Sequence, residues 1–203
     1  MKYKWLNKKD NNKIIIFFNG WGMDEKIVEH LNPENYDVLM FYDYNSLETD
    51  FKFNQLNNYD NRYLIAWSMG VMIATQFDIK YTYKTAINGT LKPIDNNFGI
   101  PEKIYDLTIR GFSQTGLKKF ITNMGLDPNF SEKINRDFEE QKSELSALKK
   151  YHSNSDFKYD RIILSDNDKI IPTKNQSAFW GIEPNTKSGH SPFHLYEKWS
   201  DLL

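Results

Sequence analysis

Three side-chain types that do acyl chemistry occur here in settings that suit it. Ser68 lies in "LIAWSMG", between an apolar run and a glycine, Asp166 and Asp168 lie in "RIILSDNDKIIP", and His190 and His194 lie in "KSGHSPFH". A serine hydroxyl becomes a nucleophile when an imidazole takes its proton, and a carboxylate holds that imidazole in the right tautomer. Ser68 has a second reading as the N-cap of its helix, and the heptapeptide supports both equally. Its first glycine position in the G-x-S-x-G pattern is filled by Ala66, small enough for a sharp turn. Of the chain's four histidines, His30 and His152 read as surface or packing residues. His190 follows Gly189 and precedes Pro192 on a loop past the last strand signal, so it is the base candidate. His190 and His194 are four apart, but Pro192 breaks the turn between them and no carboxylate completes a set, so no metal site is expected. Asp168, ahead of "KII" and Pro172, is the better acid candidate; Asp166 is the alternative, and either aspartate also fits a plain Asx-turn.

An oxyanion needs donors as well. Asn19-Gly20-Trp21-Gly22 follows the first strong strand signal, and its glycines let backbone approach a substrate carbonyl. The expected donors are the N–H groups of Trp21 and Met69.

These residues require elements that bring them to one edge. Strand signals fall at 13–18, 38–41, 63–66, 85–87 and 161–164, with another around 179–182. Helical spacing runs over 24–31 with Asp24 as N-cap, over 69 to about 80, and in a last helix after Pro192. Between about 91 and 151 the pattern turns helical, near 101–110, 114–124 and 131–150, without a convincing strand. The expected architecture is one α/β domain over 1–203, a mainly parallel sheet flanked by helices, with 91–151 as an inserted helical lid. Ser, then Asp, then His, each past a strand, is the chain order of the α/β-hydrolase triad.

Composition is compatible with that picture. At 203 residues, with 39% hydrophobic and 15% aromatic residues, the chain can bury a core without disulfides, and it has no cysteine. The absence of cysteine removes Cys-based zinc sites and a Cys nucleophile and fits a cytoplasmic protein. A net charge of −1 argues for neither nucleic acid nor an anionic membrane as partner, and "KIIIFF" is too short for a membrane span.

The pieces "FFNGWGMD", "IAWSMG", "INGTLKPID", "ILSDNDKIIP" and "GHSPFH" together resemble the pimeloyl-acyl-carrier-protein methyl ester esterases of BioG type, with the BioH type more distant. The resemblance covers nearly the whole chain. It implies Ser68 as nucleophile, Asp168 as acid, His190 as base, and the N–H groups of Trp21 and Met69 as oxyanion donors. It implies hydrolysis of pimeloyl-acyl-carrier-protein methyl ester to methanol and the free acid in biotin synthesis, through an acyl-enzyme and without a cofactor. The partner implied is an acyl carrier protein.

Such carriers are acidic, so a basic docking face is expected. Lys103, Arg110, Lys118 and Lys119 face only Asp106 between 103 and 120 and are its candidates, against a solvated helix face as the plain alternative. Trp21, Trp67, Met69, Phe112 and Phe120 are candidates to line an apolar acyl channel, though each also suits an ordinary core. A general carboxylesterase or acyl thioesterase would use the same triad. A silent hydrolase-fold binding protein would lack a triad member, and none is missing.

Overall fold

The run Lys13–Phe18 carries no polar alternation, as a strand covered on both faces requires. The computed structural model, which describes residues 1–203, makes it the second strand of a six-stranded sheet. The strands are β1 (Lys2–Asn7), β2 (Lys13–Phe18), β3 (Asp37–Tyr42), β4 (Asn61–Trp67), β5 (Tyr83–Ile87) and β6 (Arg161–Ile163), in the order β1-β3-β2-β4-β5-β6. Only β1 is antiparallel to its neighbour. Side chains alternate between two cores: Ile14, Ile16 and Phe18 join Leu39, Phe41 and Leu64 on one face, while Ile15, Phe17, Val38, Ile65 and Trp67 join on the other.

Because β2, β4, β5 and β6 run parallel, their C-terminal ends share one edge. Phe18 pairs with Ala66, Trp67 with Ile87, and Ile87 with Ile163. The loops leaving these strands therefore carry Trp21, Ser68, Asn88 and Asp168 to one place.

The helices are α1 (Gly70–Ile73), α2 (Glu102–Arg110), α3 (Gln114–Asn123), α4 (Phe138–Leu148) and α5 (Thr173–Trp180). Helices α2, α3 and α4 lie in the chain between β5 and β6. Ser113 caps α3 by accepting from Gly116 N–H, and Asp137 caps α4 by accepting from Glu140 N–H. Tyr105 Oη of α2 donates to the Leu145 carbonyl of α4 at 2.8 Å. No helix is long and apolar enough to cross a membrane.

Several elements differ from the sequence expectation. Residues 24–31 form only a 3₁₀ turn at Glu25–Ile27; Asp24 does cap it, and Ile27, Val28 and Leu31 still face the core. The helix after Met69 becomes a 3₁₀ turn at Ala74–Gln76, where Thr75 Oγ1 donates to the Met72 carbonyl and accepts from Asn154 N–H. The expected helix at 131–150 splits into a 3₁₀ turn, Pro128–Glu132, and α4. The aromatic stretch around 179–182 is not a strand: α5 runs to Trp180 and stops at Gly181, whose φ of 68° is left-handed. Beyond Pro192 there are two 3₁₀ turns, Phe193–Leu195 and Trp199–Leu202, in place of one helix. β1 carried no recognised signal, its lysines lying on an exposed edge.

Candidate active site

Ser68 sits where β4 turns into α1, with a φ of 58° and its N–H donating to the Ile87 carbonyl at 2.9 Å. A left-handed φ at a non-glycine residue is strain that the surroundings must hold. Gly70 is what lets the turn lie flat on β2, because a Cβ there would come within 2.3 Å of the Phe18 carbonyl oxygen. With only four residues, α1 offers little macrodipole, so any donation at this turn comes from single N–H groups.

The structure brings Ser68, His190 and Asp168 into one row. Ser68 Oγ lies 2.8 Å from His190 Nε2, and His190 Nδ1 lies 2.7 Å from Asp168 Oδ2. Asp168 Oδ1 accepts from the N–H groups of Ile170 (2.8 Å) and Ile171 (3.1 Å), and Oδ2 also accepts from Gln176 Nε2 (2.8 Å). That amide donates to the Ile171 carbonyl as well, which sets its orientation and leaves Gln176 Oε1 buried without a partner. With a carboxylate on one side, Nδ1 carries the imidazole proton and Nε2 is free to accept from the serine hydroxyl. Asp166 stands away from the imidazole; its exposed carboxylate accepts from Ser188 N–H and caps the loop leading to His190.

Two residues that the sequence did not mark as functional hold the histidine loop and the aspartate, respectively. Asn88, with a φ of 43°, donates to the His190 carbonyl at 2.9 Å and to Ser165 Oγ at 2.8 Å, and accepts from Ser165 N–H. Gln176 anchors Asp168 as described. Asn88 opens the turn-like "NGT" after β5 and Gln176 lies in the helix that Pro172 starts, but neither position shows in the sequence which groups its side chain will bond. Trp67, expected beside the acyl chain, does not line the cavity: its ring is buried against His190 and Phe193, and Nε1 donates to the His190 carbonyl at 2.8 Å. It supports the histidine from below.

The Asn19–Met23 loop faces the serine from the other side. A Cβ at Gly20 would lie 2.8 Å from the Trp67 ring, so glycine is what allows this approach. Gly20 N–H donates to Asn19 Oδ1, Gly22 N–H to Glu144 Oε2, and Met23 N–H to the Gly20 carbonyl. Trp21 N–H and Met69 N–H have no acceptor within the chain, and Trp21, Ser68 and Met69 line one cavity. Glu144 also accepts from Tyr44 N–H at 2.8 Å and from Arg136 Nη2 at 3.0 Å; burial pushes its carboxyl up against the pull of Arg136.

Above Ser68 opens a cavity of about 420 Å³, lined mostly by apolar side chains that include Trp21, Met69, Phe112, Phe120 and Ile170. Ile104 and Leu107 of α2 extend it outward and are half-exposed. Lys119 stands on its wall; Lys103, Arg110 and Lys118 are exposed outside it, with Lys118 paired to Glu132 at 2.9 Å. His194 is exposed and His30 Nε2 meets the Phe193 carbonyl, so neither joins the row.

A family model described as "Pimeloyl-ACP methyl esterase BioG" matches residues 1–202. The crystal structure of BioG from Haemophilus influenzae is similar at a TM-score of 0.89 and 31% identity, over 100% of this chain and 99% of that one. MGS-M2, an α/β-hydrolase enzyme from a deep-sea metagenome library, shares the fold at a TM-score of 0.58 and 19% identity, over 93% of this chain and 86% of that one. A Bacteroides fragilis protein named malonyl-[acyl-carrier protein] O-methyltransferase is 36% identical over 91% of this chain, which spans 40% of that protein's length. This last relative corrects the expected reaction. An O-methyltransferase forms a methyl ester, the opposite sense to the expected hydrolysis of pimeloyl-acyl-carrier-protein methyl ester, and the acyl group it names is a different one. The activity named for this relative does not support hydrolysis of pimeloyl-acyl-carrier-protein methyl ester by this chain.

Proposed function

This chain belongs to the BioG family and has the α/β-hydrolase fold, and from that premise we propose that it is a serine-dependent carboxylic ester hydrolase working through an acyl-enzyme. The observation that carries the reading is the row Ser68 Oγ–His190 Nε2–His190 Nδ1–Asp168 Oδ2, with contacts of 2.8 and 2.7 Å. Ser68 Oγ attacks the ester carbonyl as His190 Nε2 takes its proton, and the Asp168 carboxylate stabilises the imidazolium. The oxyanion is met by the unpartnered N–H groups of Trp21 and Met69. His190 returns the proton to the leaving alcohol, and water attacks the acyl-enzyme by the same steps in reverse order.

The acyl chain occupies the cavity against Trp21, Phe112 and Phe120, beneath α2–α4 acting as a lid. An acyl carrier protein presents it, a partner supported by the carrier named for the family and for the Bacteroides relative. Lys103, Arg110, Lys118 and Lys119 are the residues proposed to meet its acidic surface.

Ser68→Ala tests the mechanism, assayed on a free p-nitrophenyl ester and on a carrier-bound acyl ester. The expected result is a loss of kcat of roughly 10⁴–10⁶-fold on both with folding intact. Turnover within tenfold of wild type would sink the reading. Cleavage of the free ester alone would retain the hydrolase and remove the carrier.

A further inference from the structure

Helix α4 contributes more than a wall to the cavity. Its Leu145 lines the space above Ser68, while its buried Gln141 and Glu144 reach the loop that carries Trp21. Gln141 Nε2 donates to the Gly22 carbonyl at 2.8 Å, and Glu144 Oε2 accepts from Gly22 N–H at 3.3 Å. The Gln141 carbonyl accepts from Trp21 Nε1 at 2.8 Å, so the indole is held too. Arg136 ties the set together, Nη2 on Glu144 Oε2 at 3.0 Å and Nη1 on the Met23 carbonyl at 3.3 Å.

The loop needs such a clamp. Gly22 has a φ of 71°, as the third residue of the turn closed by Met23 N–H on the Gly20 carbonyl, and the central Trp21–Gly22 peptide of such a turn can flip unless further contacts fix it. An oxyanion donor works only if it is aimed before the charge develops. With both polar groups of Gly22 taken by α4, Trp21 N–H is the one loop donor still open, on a residue that lines the cavity together with Ser68. We infer that Gln141 and Glu144 are positioning residues for the oxyanion donor Trp21, acting on turnover through the Gly22 peptide without touching substrate. This inference rests on the serine-hydrolase reading.

The test is Gln141→Leu, which removes the side-chain donor to Gly22 and keeps the backbone acceptor of the Trp21 indole. Steady-state kinetics on a free ester, normalised to sites titrated by a fluorophosphonate, are compared with inhibition by a trifluoromethyl ketone. That ketone forms an Oγ–C bond with Ser68, passes the hydroxyl proton to His190, and leaves an oxyanion facing Trp21 and Met69. The expected result is a kcat lower by on the order of 10²-fold with KM within about twofold, since a small misplacement of a catalytic group costs about that much. Ketone affinity should fall by the same factor as kcat/KM. A folded variant with kcat within threefold of wild type, or with ketone affinity unchanged, overturns the clamp. If Gln141→Leu does not fold, Glu144→Gln, which keeps shape and volume, is judged by the same pair of readouts. A dead Ser68→Ala beside an unaffected Gln141→Leu removes the clamp alone; an active Ser68→Ala removes the hydrolase reading itself.

Discussion

The two sides of Ser68 are built differently. On the acid side, Asp168 is held by groups two, three and eight residues away, the N–H of Ile170, the N–H of Ile171 and Gln176. On the oxyanion side, the loop around Trp21 is held by Gln141 and Glu144, which lie 119 and 122 residues from Gly22 in the chain. The acid side is a local turn that needs little beyond its own sequence. The contacts that hold Gly22 form only when α4 has docked, so on the proposed mechanism changes in the segment between β5 and β6 should reach turnover through them.

The sharpest way to break the acid side is Asp168→Asn. The amide reverses the hydrogen-bonding pattern facing His190 Nδ1, so kcat should fall about 10⁴-fold, about 5 kcal/mol of barrier, with little change in melting temperature. A loss below tenfold in steady-state kinetics would mean that the imidazole is oriented from elsewhere.

Gly70→Ala attacks the elbow through packing. The new Cβ would meet the Phe18 carbonyl oxygen, and urea unfolding should show about 3 kcal/mol lost. A loss under 1 kcal/mol would show that β2 and the elbow can separate without cost.

Gly22→Ala probes the other side more gently. A Cβ there is 3.6 Å from Gln141 Nε2, so space is adequate and the cost comes from the left-handed φ. Stability should drop by about 1–2 kcal/mol. Because the peptide that aims Trp21 N–H is disturbed, kcat should drop more than the unfolded fraction accounts for.

The smallest consequence for the site comes from the opposite end of the sheet. Burial alone would raise the Asp37 carboxyl, but hydrogen bonds from Lys9 N–H, Tyr59 Oη, Lys8 Nζ and Asn11 outweigh it and hold it at about 2. An unfolded aspartate titrates near 3.9. The folded value is the lower one, so this stabilisation is complete above about pH 4 and is lost as pH falls towards 2. Asp37→Asn should flatten the acid limb of stability over that window and leave turnover at neutral pH unchanged. An unaltered acid limb would remove Asp37 from the account.

Much of the frame could be read before any fold was known. "KIIIFF" and "YLIAW" announce strands covered on both faces, because nothing polar interrupts them. The failures also have local causes. The stretch "AFWGI" looks like a strand by composition, yet Pro172 and Gly181 bracket a helix. In β1, one lysine-rich face lies towards solvent, which mimics a polar tail. The expected substrate was inferred from resemblance, and a relative with a different named activity displaced it.

Local sequence was enough to set a serine and an aspartate just past strands with a histidine after them on a later loop, although the strand expected before that histidine is a helix, and to place glycines on both sides of Trp21 and one after Ser68. Those are matters of apolar periodicity and turn chemistry, which act between near neighbours. Tertiary structure decided that Asp168 faces His190 while Asp166 caps Ser188, that Trp67 supports the histidine, and that Trp21 N–H is left open. It also decided that Asn88, Gln141, Glu144 and Gln176 matter. Apart from Gln176, only eight residues from Asp168, these outcomes depend on hydrogen bonds that close once distant segments meet, and no local pattern records a partner a hundred residues away.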